Sequence, residues 1–131
     1  MKHFIKETAA ILYSSSHDKN GLDIIKETLQ FPNYYHKGKK QLLENKCKYA
    51  YFIPATETGL EYGYFGEIES VARIKDYESL NPLWLVDIEQ KDREWDMVIK
   101  MKKVMKVSLS DMEKKGFIRE GIQGGIRYKS L

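Results

Sequence analysis

One cysteine, three prolines and three histidines in 131 residues leave this chain few of the groups from which staples and metal centres are built. Cys47 alone can neither close an intrachain disulfide nor complete a cysteine zinc site, which predicts a reducing, cytoplasmic setting. His3, His17 and His36 are far apart and show no ligand spacing, so no metal and no cofactor are expected. No apolar run approaches the ~20 residues that cross a bilayer. The opening Met1-Lys2-His3 leads into Phe4-Ile5-Lys6-Glu7, which interrupts any leader-like apolar region, so a soluble chain without a membrane partner is expected. A Gly-rich phosphate loop ending in Lys-Ser/Thr is missing, and Gly121 to Gly125 lacks the strand before and helix after that a dinucleotide fingerprint needs. Ser14 to Ser16 beside His17-Asp18 supplies the residue types of a nucleophilic triad, but adjacency is not convergence from separate elements. No catalytic residue is therefore named.

With 42% hydrophobic residues, the length fits one domain over residues 1–131 with a single core. The net charge of +3 arises from 22 basic and 19 acidic residues, too mild a balance to imply a polyanionic partner, so distribution has to decide. Lys37, Lys39, Lys40, Lys46 and Lys48 meet a single acid, Glu44, and Lys100, Lys102, Lys103 and Lys106 form a second basic run. Phe31-Pro32-Asn33-Tyr34-Tyr35-His36-Lys37-Gly38-Lys39-Lys40 sets aromatic faces directly beside cations. That pairing suits a nucleotide, since a ring stacks on a base for roughly 1–3 kcal/mol while ammonium groups meet phosphates. The same composition also suits a solvated loop.

Hydrophobic periodicity orders the chain as strand, helix, short basic segment, then a β meander with one late helix. His3 to Tyr13 reads as the first strand. Asn20 caps a helix carrying Leu22, Ile25 and Leu29, with Asp23 in its first turn and Pro32 at its end. Tyr34 to Lys40 is a short strand or an exposed loop, followed by a helical turn over Lys40 to Glu44. Tyr49 to Ile53 and Tyr62 to Ile74 form a hairpin in which Gly63 and Gly66 mark a bend or bulge. Leu83 to Ile88 is almost continuously apolar and predicts a central buried strand. Trp95 to Val107 supplies another strand; Val98, Lys100, Lys102 and Val104 cannot share one buried face, so the lysines point to solvent or a ligand. Ser108 and Asp111 are spaced as a capping box, and Gly116 falls where a left-handed cap belongs. The tail Gly121 to Tyr128 is turn-rich and closes with a last strand.

Such a meander in a small chain favours an α+β fold, with a mixed or antiparallel β barrel, closed or nearly so, and two or three short helices at its ends. Glu67 and Glu69 share a strand face, as do Asp87 and Glu89, and surface pairing with lysine is the expected role. Trp84 and Trp95 are expected to pack rather than to bind.

The order of segments resembles the PUA-like superfamily, and within it the EVE domains with their YTH and ASCH relatives. The features that carry it are Tyr13-Ser14-Ser15-Ser16 ending the first strand, the aromatic-basic stretch Tyr34 to Lys40 after the first helix, and the strand Tyr51-Phe52-Ile53. The return strand Gly63-Tyr64-Phe65-Gly66-Glu67-Ile68 and the late Ser108-Leu109-Ser110-Asp111 helix complete it. The resemblance implies a pocket for an unpaired or flipped base, modified or not, with Ser14, Ser15, His17 and Asn20 on one side and Phe31, Tyr34 and Tyr35 on the other. RNA or DNA is then the expected partner, its phosphates met by Lys37, Lys39, Lys40, Lys100, Lys102 and Arg127. Where relatives place a Trp, this chain has Phe31 and the two tyrosines, which fits base stacking better than a modified-base cage. Two alternatives stay open: a small ASCH-like hydrolase or nuclease acting on RNA or a modified nucleoside, using Lys37 or Lys39 with Glu67, and a protein-interaction domain with a Tyr-rich surface.

Overall fold

A computed structural model describes residues 8–14, 21–54, 59–75, 79–84, 95–116 and 125–130, with 13–14 by backbone alone. Its strands are β1 (Thr8–Ser14), β2 (Gln30–Asn33), β3 (Tyr49–Pro54), β4 (Tyr62–Arg73), β5 (Met97–Ser108) and β6 (Ile126–Ser130). Its α-helices are α1 (Gly21–Thr28), α2 (Lys40–Leu43) and α3 (Leu109–Lys114), with short 3₁₀ turns at Lys37–Lys39 and Pro82–Trp84.

The strands form one mixed sheet in the order β2-β5-β4-β3-β1-β6. β3, β4 and β5 make the antiparallel meander, β1 runs parallel to β3, and β6 and β2 pair antiparallel at the two edges. The α+β class holds, and among the described residues the sheet is not closed into a barrel, since the edge strands β2 and β6 do not pair. β2 pairs with β5 only from Gln30↔Lys100 to Asn33↔Met97, and after Asn33 the chain turns away before it could reach β6. The segment after β2 nevertheless reaches β6 through the Tyr128 side chain.

The larger core lies on one face of the sheet, where Leu12, Leu22, Ile25, Phe31, Leu42, Phe52, Met97, Ile99 and Ile126 are buried together. A smaller cluster on the other face joins Ala9, Ile11, Tyr51 and Ile53 to Met112 of α3. Cys47 is buried, and burial pushes its thiol up to about 11, where it stays protonated and weakly reactive.

α1 ends at Thr28 because Leu29 adopts φ 55°, a left-handed stop, so Pro32 does not terminate it. Pro32 instead sits within edge strand β2, where the loss of one donor is tolerated. The strand expected over Leu83 to Ile88 begins as a 3₁₀ turn: Leu83 N–H donates to Asn81 Oδ1 at 3.0 Å and Trp84 N–H to the Asn81 carbonyl at 2.9 Å. The Asn-Pro pair thus favoured a local turn over extension. Residues 85–90 lie outside the described residues, as does the expected cap Asn20. Trp84 is a core residue; its indole N–H donates to Thr28 Oγ1 at 3.0 Å and its ring meets Phe31 and Trp95 edge-on.

The alternation in β5 is resolved by two register shifts in the β4–β5 ladder, at Glu67/Ile68 and Ile68/Ser70. They let Val98 and Met101 be buried while Lys100, Lys102 and Lys103 stay exposed. Gly66 sits beside them because a Cβ there would meet the Lys103 carbonyl oxygen at 2.5 Å. In α3, Ser108 Oγ accepts from Asp111 N–H at 3.1 Å, one half of the expected capping box, and Gly116 caps the end with φ 86°.

Candidate functional site

The aromatic-basic segment is neither a strand nor a loose loop. After Asn33 the chain leaves the sheet, and His36, itself extended, caps the 3₁₀ turn, its Nδ1 accepting from Gly38 N–H at 3.0 Å. Two anchors from distant parts of the chain and one of its own fix it. Asp96 Oδ1 accepts from Tyr35 N–H at 2.6 Å, and Asp96 Oδ2 pairs with Arg73, whose guanidinium lies 4.1 Å from the centre of the Tyr35 ring. On the other side the Tyr128 hydroxyl of β6 donates to the Gly38 carbonyl at 2.6 Å.

Lys39 forms the third. Only 4% exposed, it donates from Nζ to Asn33 Oδ1 at 2.9 Å and to the Tyr34 carbonyl at 2.7 Å. Its ammonium also lies 4.5 Å from the Tyr34 ring centre. Burial pulls its pKa from 10.5 down to about 8, against the opposing pull of Asp96. An ammonium so enclosed organises the segment; it is not available to a phosphate, which corrects the role expected for Lys39. The Tyr34 ring, in contrast, is 54% exposed, with His36 tilted beside it at 5.9 Å. Tyr35 is half-buried under Arg73.

The other expected residues separate into groups. Lys37 and Lys40 are exposed next to the segment, and Lys40 reaches Glu44 at 4.0 Å. Phe31 leaves the set of stacking rings, because it is buried with Phe52 at 5.1 Å and Trp84 at 6.4 Å. Arg127 lies between core-facing Ile126 and Tyr128, so its side chain projects from the opposite face of β6. Lys100 is exposed on β5, and Lys102 pairs with Glu67 at 3.5 Å, so these two belong to the sheet rather than to the Tyr34 segment. Ser14 ends β1 opposite Pro54, while Ser15, His17 and Asn20 fall outside the described residues. The two members of the hydrolase alternative are also apart: Lys39 serves the Asn33–Met97 end of the sheet, whereas Glu67 faces Lys103, six residues and about 20 Å along β5.

Asn33, Arg73, Asp96 and Tyr128 build the site yet were not singled out from the sequence. Arg73, Asp96 and Tyr128 act from far along the chain, where no local pattern marks them, whereas Asn33 acts within the segment itself, six residues from Lys39. Among the described residues no group of His, Cys, Asp and Glu could hold a metal, and no helix is long and apolar enough to cross a membrane. No family model, curated protein or solved structure matches the chain.

Proposed function

We propose that this chain is a non-catalytic nucleic-acid-binding module that stacks an unpaired base on Tyr34 and meets the adjoining phosphates with Lys37 and Lys40. The observation that carries the reading is an exposed Tyr34 ring on a backbone held by buried Lys39, by Asp96 beneath Tyr35 and by Tyr128. A ring positioned in advance loses little conformational freedom on stacking, which favours base capture over the behaviour of a solvated loop. The resemblance of the segment order to PUA-like domains points to the same surface, with RNA and DNA both admitted.

Anisotropy of labelled single-stranded and duplex oligonucleotides, titrated with salt, tests this directly. Affinity for the single strand should fall steeply with ionic strength, and Tyr34→Ala should weaken it by roughly 1–3 kcal/mol, while loss of the contact with Lys39 lowers the melting temperature only slightly. Undetectable binding to every oligonucleotide at low salt ends the proposal.

A further inference from the structure

The strand register places two rows of side chains on the sheet face opposite the main core. Arg127, Ile11, Tyr51, Phe65 and Met105 are successive partners across β6, β1, β3, β4 and β5. Lys129, Ala9, Tyr49, Glu67 and Lys103 form the adjacent row. Four strand spacings make each row about 19 Å from edge to edge. α3 closes part of this face: Met112 is buried against Ile11, Tyr51 and Ile53. What stays accessible is half-buried Tyr49 and Phe65 beside Met105, which is 59% exposed.

These side chains form a small aromatic patch, separated from β6 by buried Ala9, Ile11 and Tyr51. The Tyr49 and Phe65 rings stack with centres 5.2 Å apart and 28° between their planes, and Tyr51 supports Phe65 at 4.5 Å. Cations rim it. Lys103 and Arg127 are exposed at opposite ends of the two rows, and the Lys48 ammonium lies 5.5 Å from the Tyr49 ring centre. Glu67, the one acid in the two rows, is matched by Lys102 at 3.5 Å.

We infer that this face of the sheet is a second contact surface for a single-stranded polynucleotide, stacking bases on Phe65 and Tyr49 against Met105 while Lys103 and Arg127 meet phosphates. The inference rests on the nucleic-acid reading above but uses a different surface from Tyr34. Charge complementarity selects the occupant: an accessible aromatic patch with Lys103 beside it and Arg127 on the far edge strand suits exposed bases on a phosphate chain, whereas duplex bases are stacked internally and cannot reach it.

The test uses the full chain with fluorescein-labelled oligouridine, oligothymidine and a mixed duplex at low salt. Met105→Glu and Lys103→Glu alter exposed side chains, so thermal melts should match the parent. Each should weaken single-strand binding about tenfold, and Lys103→Glu should also lower the salt slope by about 0.7. An oligonucleotide carrying 5-iodouridine should cross-link to the peptide containing Tyr49 or Phe65. Full-strength binding by both variants, with loss in Tyr34→Ala, overturns the sheet-face inference and leaves the Tyr34 reading intact. Equal preference for the duplex, or a change of sedimentation mass in Met105→Glu, also overturns it. Absence of binding by the parent chain removes both.

Discussion

The Tyr128 hydroxyl donates to the Gly38 carbonyl at 2.6 Å and accepts from Leu42 N–H at 3.4 Å, tying edge strand β6 to the segment that follows the opposite edge strand. Among the described residues, a phenol thus links the two sheet edges that the backbone leaves unpaired. Burial pushes that phenol up to about 12, so it remains a donor through the physiological range.

Tyr128→Phe should therefore act locally. The ring keeps its packing against the main core, while Gly38 and Leu42 each lose a partner, a change of about 1 kcal/mol in urea unfolding. Amide exchange should accelerate at residues 38–42 more than in β3 or β4. Uniform acceleration across the sheet would show that the phenol holds the whole fold rather than this segment.

Lys39 makes a pH prediction with a definite sign. Its folded pKa of about 8 lies below the ordinary 10.5, so between those values the unfolded chain binds the proton and the folded chain releases it. Stability from this group is reduced at low pH and recovers as pH rises through that window, with a slope of at most about 1.4 kcal/mol per pH unit. Because tyrosines and Cys47 titrate nearby with raised values, the quantity to measure is the difference between the parent and Lys39→Met in urea unfolding. That difference should move in favour of the parent from pH 8 to 10.5; a flat difference would mean that the ammonium is solvated.

The meander, α1, α3 and the bulge near Gly66 were legible because each is written in local periodicity or turn chemistry. The 3₁₀ turn at Asn81-Pro82 was not, since an apolar run masked a turn-forming pair. At the site, the sequence marked Tyr34 and Lys37 but treated Lys39 as their equal. Lys37 and Lys39 differ only in which side of a 3₁₀ turn they occupy, and the carboxamide of Asn33 that receives the Lys39 ammonium is specified by the fold of β2. Asp96 and Tyr128 lie 61 and 90 residues from the backbone groups they hold, a separation no local pattern reports.

Asp96 joins these threads, because one carboxylate holds the Tyr35 amide, pairs with Arg73 and raises the pKa of Lys39. The Arg73 pair is about half exposed at both ends and contributes little by itself, roughly 0–1 kcal/mol. The short bond from Tyr35 N–H should carry more, as bonds to charged acceptors do. Asp96→Asn retains an acceptor for that amide and should cost under about 1 kcal/mol, whereas Asp96→Ala should cost about 1–2 kcal/mol and weaken oligonucleotide binding through Tyr34. Both variants remove the negative charge near Lys39, so the pH at which stability begins to recover should move below 8 in each. Equal losses in Asn and Ala, with that pH unchanged, would show that Asp96 acts through Arg73 alone.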